Sequence, residues 1–159
     1  MSEIRFFIRE NPYGGLSNFE RTKFYVGGEL FKTNEHYYQA QKANDQRVRE
    51  YIKNAPHARI AMVLGRQLER NKYLQKYMVE DWDSKKLDVM LKGLRCKFRI
   101  PRLRTLLLST GDSVLHEDNP EDFYWGIGDG TGESWLGKLL MQVRDELQTS
   151  NKTGDKVEP

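Results

Sequence analysis

The sequence predicts an α+β fold, a compact and mainly α-helical single domain with a small β element, and three observations carry that reading. Apolar residues alternate only in short runs near the N-terminus, while longer stretches further on repeat them at helical spacing. A Gly-Gly pair at 27–28 separates two β-rich runs. With 38% hydrophobic and 11% aromatic residues, a chain of 159 residues can bury one core.

The elements follow in order. IRFFIRE at 4–10 sets Ile4, Phe6 and Ile8 against Arg5 and Arg9, the period of a half-buried strand. KFYVGGELF at 23–31 is a hairpin signal. Thr33 or Asn34 can cap the next helix, and Asp45 can cap another that runs through Val48, Tyr51 and Ile52. Pro56 stands where a third helix would begin, with Ala61, Leu64 and Leu68 on one face. Asp83 reads as an N-cap with Trp82 stapled to Leu87, followed by Met90, Leu91, Leu94 and Phe98. Pro101 opens a short helix through Leu103, Leu106 and Leu107 that stops before Gly111. SVLHE and DFYW read as extended, and the last helix packs Leu136, Leu139, Leu140, Val143 and Leu147. The domain is expected to span 1–148. Residues 149–159 offer no apolar side chain for a core except Val157 and are expected to form a disordered tail.

Charge and cysteine usage narrow the function classes. A net charge of +3 tolerates a polyanionic partner, but no concentrated Lys/Arg stripe requires one. Cys96 is the only cysteine, so no disulfide can form within the chain. No long apolar run or apolar signal core is present, which leads us to expect an intracellular, cytoplasmic protein without a membrane or an obligate protein partner. His36, His57 and His116 are widely separated and neither HExxH nor CxxC occurs, so neither a metal nor a cofactor is expected.

Two stretches carry chemistry. In TNEHYYQAQKA, residues 33–43, helical spacing puts Glu35, Tyr38, Gln39 and Lys42 in one polar sector, with His36, Ala40 and Ala43 on another face that can press closely on a neighbour. Such a sector can line a cleft, or it can be a solvated charged face. HEDNPEDFYWGIGDGTGESWLGKLLMQVR, residues 116–144, places Gly126, Gly128, Gly130 and Gly132 just before a helix. Glycines let a ligand approach the backbone, and a helix N-terminus offers N–H groups to a phosphate. The spacing matches neither a P-loop nor a dinucleotide fingerprint, and Asp129 would oppose a bare anion.

Five blocks in register resemble the NADAR (YbiA-like) family: GLSNFE (15–20), the span from Phe24 through NEHYYQAQKA, the helix carrying Trp82, Met90 and Lys97-Phe98, STGD (109–112), and DFYWGIGDGTGESWLGKLLMQVRDEL. The resemblance runs from Phe6 to Leu147 and implies a compact, mostly helical N-glycosidase. Family members cleave either ribosylamine intermediates of riboflavin biosynthesis or ADP-ribose from guanine. The implied partner is therefore a nucleotide-like small molecule or an ADP-ribosylated nucleic acid. Both substrates join ribose C1′ to an exocyclic amine, a linkage that a lysine can exchange through a Schiff base. The resemblance supports Lys42 for that role and Arg66 as a cationic neighbour or phosphate contact. Glu35 is then expected to move protons and Asp122 to orient ribose hydroxyls or water. Direct hydrolysis through Glu35 or Asp122 is the other route. Asn18 can address a guanine-like edge, Phe19 and Trp125 can stack on the base, and Trp82 is assigned to the core. Gly126 and Gly128 are expected beside the ligand. Ser134 stands where the family usually has Asn. Outside the enzyme class, the alternative is a module that binds ADP-ribose or a nucleotide without cleaving it.

Overall fold

The computed structural model describes residues 1–8 and 12–154. In chain order its elements are β1 (Glu3–Phe6), β2 (Phe24–Val26), β3 (Glu29–Phe31), α1 (Asn34–Ala40), α2 (Gln46–Lys53), α3 (Ala58–Arg70), α4 (Trp82–Lys97), α5 (Pro101–Ser109), β4 (Val114–Glu117) and α6 (Trp135–Thr153), with short 3₁₀ turns at Gly14–Leu16 and Gln75–Tyr77. They group into two compact units, Asn18–Lys97 and a second made of 1–17 with 98 onward.

In the unit Asn18–Lys97, β2 and β3 form the expected hairpin, with Phe24 opposite Phe31 and Val26 opposite Glu29. Gly27 and Gly28 both hold positive φ, 57° and 81°, which a two-residue turn matched to strand twist requires. Phe24, Val26 and Phe31 point inward while Tyr25 and Leu30 face solvent. Thr33 caps α1 by accepting the His36 N–H, and Asp45 caps α2 by accepting from Arg47 and Val48. The starts of α3 and α4 differ from the sequence reading. Helix α3 begins at Ala58, two residues after Pro56, because the first carbonyl to accept helical N–H groups is that of His57, from Ile60 and Ala61. Helix α4 begins at Trp82. Asp81 takes a left-handed conformation before it, φ 53°, and its carbonyl receives the Ser84 N–H and hydroxyl. Asp83 therefore lies inside the first turn, paired with Lys86, and is not the cap.

In the other unit, β1 and β4 pair in parallel, Glu3 with Val114 through Phe6 with Glu117. The expected strand ends at Phe6, so Ile8 lies beyond it, and Arg9 and Glu10 fall outside the described residues. Pro101 opens α5 as expected. Helix α6 packs on β4 with Leu136, Leu139, Leu140, Val143 and Leu147 all buried. A Cβ at Gly137 would lie 1.8 Å from the Leu115 carbonyl, so only glycine permits that approach. Arg144 is buried with its guanidinium on Thr110 Oγ1 and the Ser113 carbonyl, at 2.9 and 2.8 Å. The segment DFYW is not a strand. Asp122 Oδ1 accepts the N–H groups of Tyr124 (3.0 Å) and Trp125 (2.8 Å), a local turn that overrides aromatic β-propensity. Helix α6 also continues past Leu147 to Thr153, where polar side chains bond back to the helix, as Thr149 does to the Asp145 carbonyl. Gly154 closes it in the left-handed region, and 155–159 lie outside the described residues. No described helix is long and apolar enough to cross a membrane.

Candidate active site

All seven residues of α1 are buried, including Asn34, Glu35, His36 and Gln39, so its polar sector is not a solvated face. The helix contacts α2, α3 and α4 and is enclosed rather than amphipathic. The close approach comes from glycines on its neighbours. A Cβ at Gly65 of α3 would fall 1.9 Å from Gln39 Oε1, and one at Gly93 of α4 would fall 2.2 Å from Asn34 Oδ1 and 2.6 Å from the Tyr37 ring. Polar groups held this tightly need assigned partners. Gln39 Nε2 donates to Glu35 Oε1 at 2.7 Å, and the Glu35 N–H donates to the Asn18 carbonyl at 3.1 Å. Asn34 Nδ2 donates to Asn18 Oδ1 at 2.8 Å. His36 Nδ1 meets Thr33 Oγ1 at 2.8 Å and Nε2 meets the Ala55 carbonyl at 3.0 Å. A carbonyl only accepts, so Nε2 bears the hydrogen and Nδ1 accepts from the threonine hydroxyl. Burial holds His36 below the usual histidine range despite the Ala55 carbonyl, which pulls the other way.

Lys42 lies just past α1, in a turn where its N–H bonds to the Gln39 carbonyl. The segment is pinned from the other side, because the Val79 N–H donates to the Lys42 carbonyl at 2.8 Å. Only 3% of the side chain is exposed. Its Nζ forms an ion pair with Glu69 of α3 and lies 5.2 Å from the Tyr38 ring centre and 5.9 Å from that of Trp82. Burial pushes the amine below the ordinary lysine value. The Glu69 and Glu35 carboxylates oppose that shift, and Arg66 reinforces it. The arrangement is a desolvated amine with a carboxylate to take its proton and two aromatic faces beside it.

Glu35 and Arg66 lie near enough to Lys42 for their charges to act on its amine, whereas Asn18 sits at the opposite, N-terminal end of α1 against Asn34 and the Glu35 N–H, and Phe19 follows it as a half-buried ring. The Asn18 side chain is committed to Asn34 and to Met90 Sδ, 3.5 Å from Nδ2, so it holds α1 to α4 rather than presenting a free amide edge. Two members escaped the sequence reading. Glu69 arrives from a different helix, and no spacing in the chain points from it to Lys42. Trp82, assigned to the core, is buried but also forms a wall beside the amine, its ring 5.3 Å from Tyr38.

The other expected residues lie on the loop before α6, in the other unit. The Glu133, Trp135 and Leu136 N–H groups donate to the carbonyls of Phe123, Tyr124 and Trp125, and the Ser134 N–H to that of Gly126. These amides are spent within the loop, so the expected phosphate cradle at the start of α6 lacks them. The glycines likewise serve the loop itself. A Cβ at Gly128, φ 55°, would strike the Phe123 ring at 2.6 Å, and one at Gly126 would lie 2.9 Å from the Asp122 carbonyl oxygen. Asp122 is half-buried with Oδ1 organising Tyr124 and Trp125, whose rings meet edge-on at 4.9 Å. Ser134 takes a left-handed conformation at the start of α6, φ 55°, and its hydroxyl lies 2.7 Å from His116 Nδ1. Among the described residues no three His, Cys, Asp or Glu side chains gather as metal ligands.

A buried carboxylate in the first turn of α1 and a buried lysine just past its end are groups of the kind that acid-base and amine chemistry uses. The NADAR domain model matches residues 6–148, and the chain belongs to the NADAR family. It is 41% identical over 146 residues to the N-glycosidase YbiA of Escherichia coli, covering 91% of this chain and 88% of that protein. An N-glycosidase of Nostoc punctiforme is 36% identical over 150 residues, covering 91% and 92%. A riboflavin biosynthesis protein of Vibrio vulnificus is 38% identical over 147 residues, covering 91% of this chain and 38% of its own length. The NMR structure of E. coli YbiA superimposes with a TM-score of 0.83 at 35% identity, covering all of this chain and 94% of that one.

Proposed function

We propose that this N-glycosidase cleaves the bond between a ribose C1′ and an exocyclic amine of a guanine-like or pyrimidinone base by amine exchange at Lys42. The observation that carries the reading is the buried Lys42 amine, held below the usual lysine value and flanked by two carboxylates. The N-riboside opens to an imine at C1′ as its exocyclic N–H proton passes to the ring oxygen, a transfer for which Glu35 is the relay. Lys42 as free amine adds to C1′, both amine hydrogens pass to the departing nitrogen, and the base leaves as its amine. A Schiff base between Lys42 and C1′ remains. Water adds to C1′, and collapse frees the sugar and restores the lysine. Tyr38 and Trp82 keep water from the amine until the sugar arrives. Arg66 favours the neutral amine.

Ribosylamine intermediates of riboflavin biosynthesis and ADP-ribosylated guanine both contain this linkage. The riboflavin name of the Vibrio vulnificus relative favours the first as substrate. The protein is incubated separately with ribosylaminopyrimidinone phosphate and with guanine-ADP-ribosylated DNA, and the released base and sugar are identified by mass spectrometry. Borohydride added during turnover should leave the sugar attached to the Lys42 peptide, and Lys42→Arg should not be labelled. Lys42→Ala and Glu35→Gln should each lose at least about a hundredfold in turnover while remaining folded. Turnover without an adduct would move the chemistry to Glu35 and a water molecule.

A further inference from the structure

We infer that Glu69 is the proton exit of this enzyme: it takes the proton from the Lys42 ammonium before the amine attacks and passes it to bulk water. The inference rests on the role proposed for Lys42 and adds a residue from another helix. A lysine held as an ammonium is not a nucleophile, so one proton must leave Nζ before the C–N bond can form. The Lys42 side chain is 3% exposed and cannot give that proton directly to solvent, whereas the Glu69 side chain paired with it is 39% exposed. The carboxylate thus touches the buried amine at one end of the path and water at the other. Its competitors face Lys42 but do not fit the task. Glu35 is 7% exposed with Oε1 accepting from Gln39 Nε2, Arg66 is a cation, and Tyr38 and Trp82 present ring faces. The step balances as one N–H bond broken at Nζ, one O–H bond formed on the Glu69 carboxyl, and the same proton then released to water. With the substrate nitrogen and ring oxygen assigned to Glu35 in the proposed mechanism, the two carboxylates have separate duties.

The test uses the full chain and whichever of ribosylaminopyrimidinone phosphate and guanine-ADP-ribosylated DNA it cleaves. Turnover is followed against pH for wild type, Glu69→Gln and Glu69→Asp, with and without added formate, and the borohydride-trapped fraction on Lys42 is measured in parallel. Glu69→Gln should lose about a hundredfold in kcat across the pH range with KM little changed, and the rate of adduct formation should fall with it. Because the position opens to solvent, formate should restore part of the loss, and Glu69→Asp should recover more than Glu69→Gln. A Glu69 that only neutralised charge would behave in the opposite way. Its removal would make Lys42 easier to deprotonate, so Glu69→Gln would keep its kcat and move the acid limb to lower pH. That result, with wild-type labelling of Lys42, overturns the proton exit and leaves the Lys42 chemistry standing. Turnover by wild type without any Lys42 adduct overturns both.

Discussion

His36 shows how much a single buried side chain fixes. Its ring is fully enclosed, its Nε2–H is spent on the Ala55 carbonyl, and its Nδ1 needs the Thr33 hydroxyl as donor, while Thr33 Oγ1 also caps α1. Protonating Nδ1 would set two donors against each other beside the helix cap. Because burial holds the folded value below that of the unfolded chain, the unfolded state binds the proton first as pH falls. The stability tied to neutral His36 is therefore complete above the unfolded value, near pH 6.5, and is lost as pH drops from there toward the folded value. Urea midpoints should fall between pH 7.5 and 5.5, at no more than about 1.4 kcal/mol per pH unit from this group. His36→Gln should be less stable at pH 7.5 and should show a flatter dependence. An equal slope in that variant would place the titrating group elsewhere.

At the scale of elements, two glycines on α3 and α4 set the depth to which α1 sinks. Gly65→Ala is expected to leave the helices in place but drive Gln39 off Glu35, since the new methyl carbon would fall 1.9 Å from Gln39 Oε1 at the far end of a side chain that can rotate. We expect a loss of about 1–3 kcal/mol from overpacking, read by denaturant unfolding, together with a fall in kcat larger than this loss explains. Wild-type turnover in a folded Gly65→Ala protein would separate Gln39 from catalysis. The same scale explains what could be read beforehand. The hairpin and the caps at Thr33 and Asp45 are local devices whose chemistry is complete within a few residues, and they stand where the sequence put them. The starts of α3 and α4 were misjudged because Pro56 and Asp83 are competent starters that a neighbouring carbonyl displaced. Glu35 and Lys42 could be found because they stand seven residues apart, about two turns, on one short segment. Glu69 could not, since its meeting with Lys42 depends on how α3 packs.

At the scale of the molecule, the strand pairing that joins the most distant segments among the described residues is that of β1 with β4, in parallel. Ser2 and Ser113 share a 2.6 Å hydroxyl contact across a separation of 111 positions, and Phe6, 1% exposed, closes the strand into its unit. Contacts of this separation carry the largest loop-closure cost and tend to form late. Phe6→Ala should therefore cost about 3–5 kcal/mol and raise the unfolding rate, with little change in refolding. A chevron in which the refolding limb slows by the full amount would put β1 in the folding nucleus instead.

The same pairing sets an order of events on the ribosome. Residues 18–97 form a contiguous unit whose contacts are complete once it has emerged, whereas β1, made before that unit, has no partner until residues 114–117 have been synthesised. Until then the nascent chain carries an unpaired strand edge with a phenylalanine on it. The charged residues on the same strand, Glu3 and Arg5, discourage that edge from joining a neighbouring chain before its own partner is made.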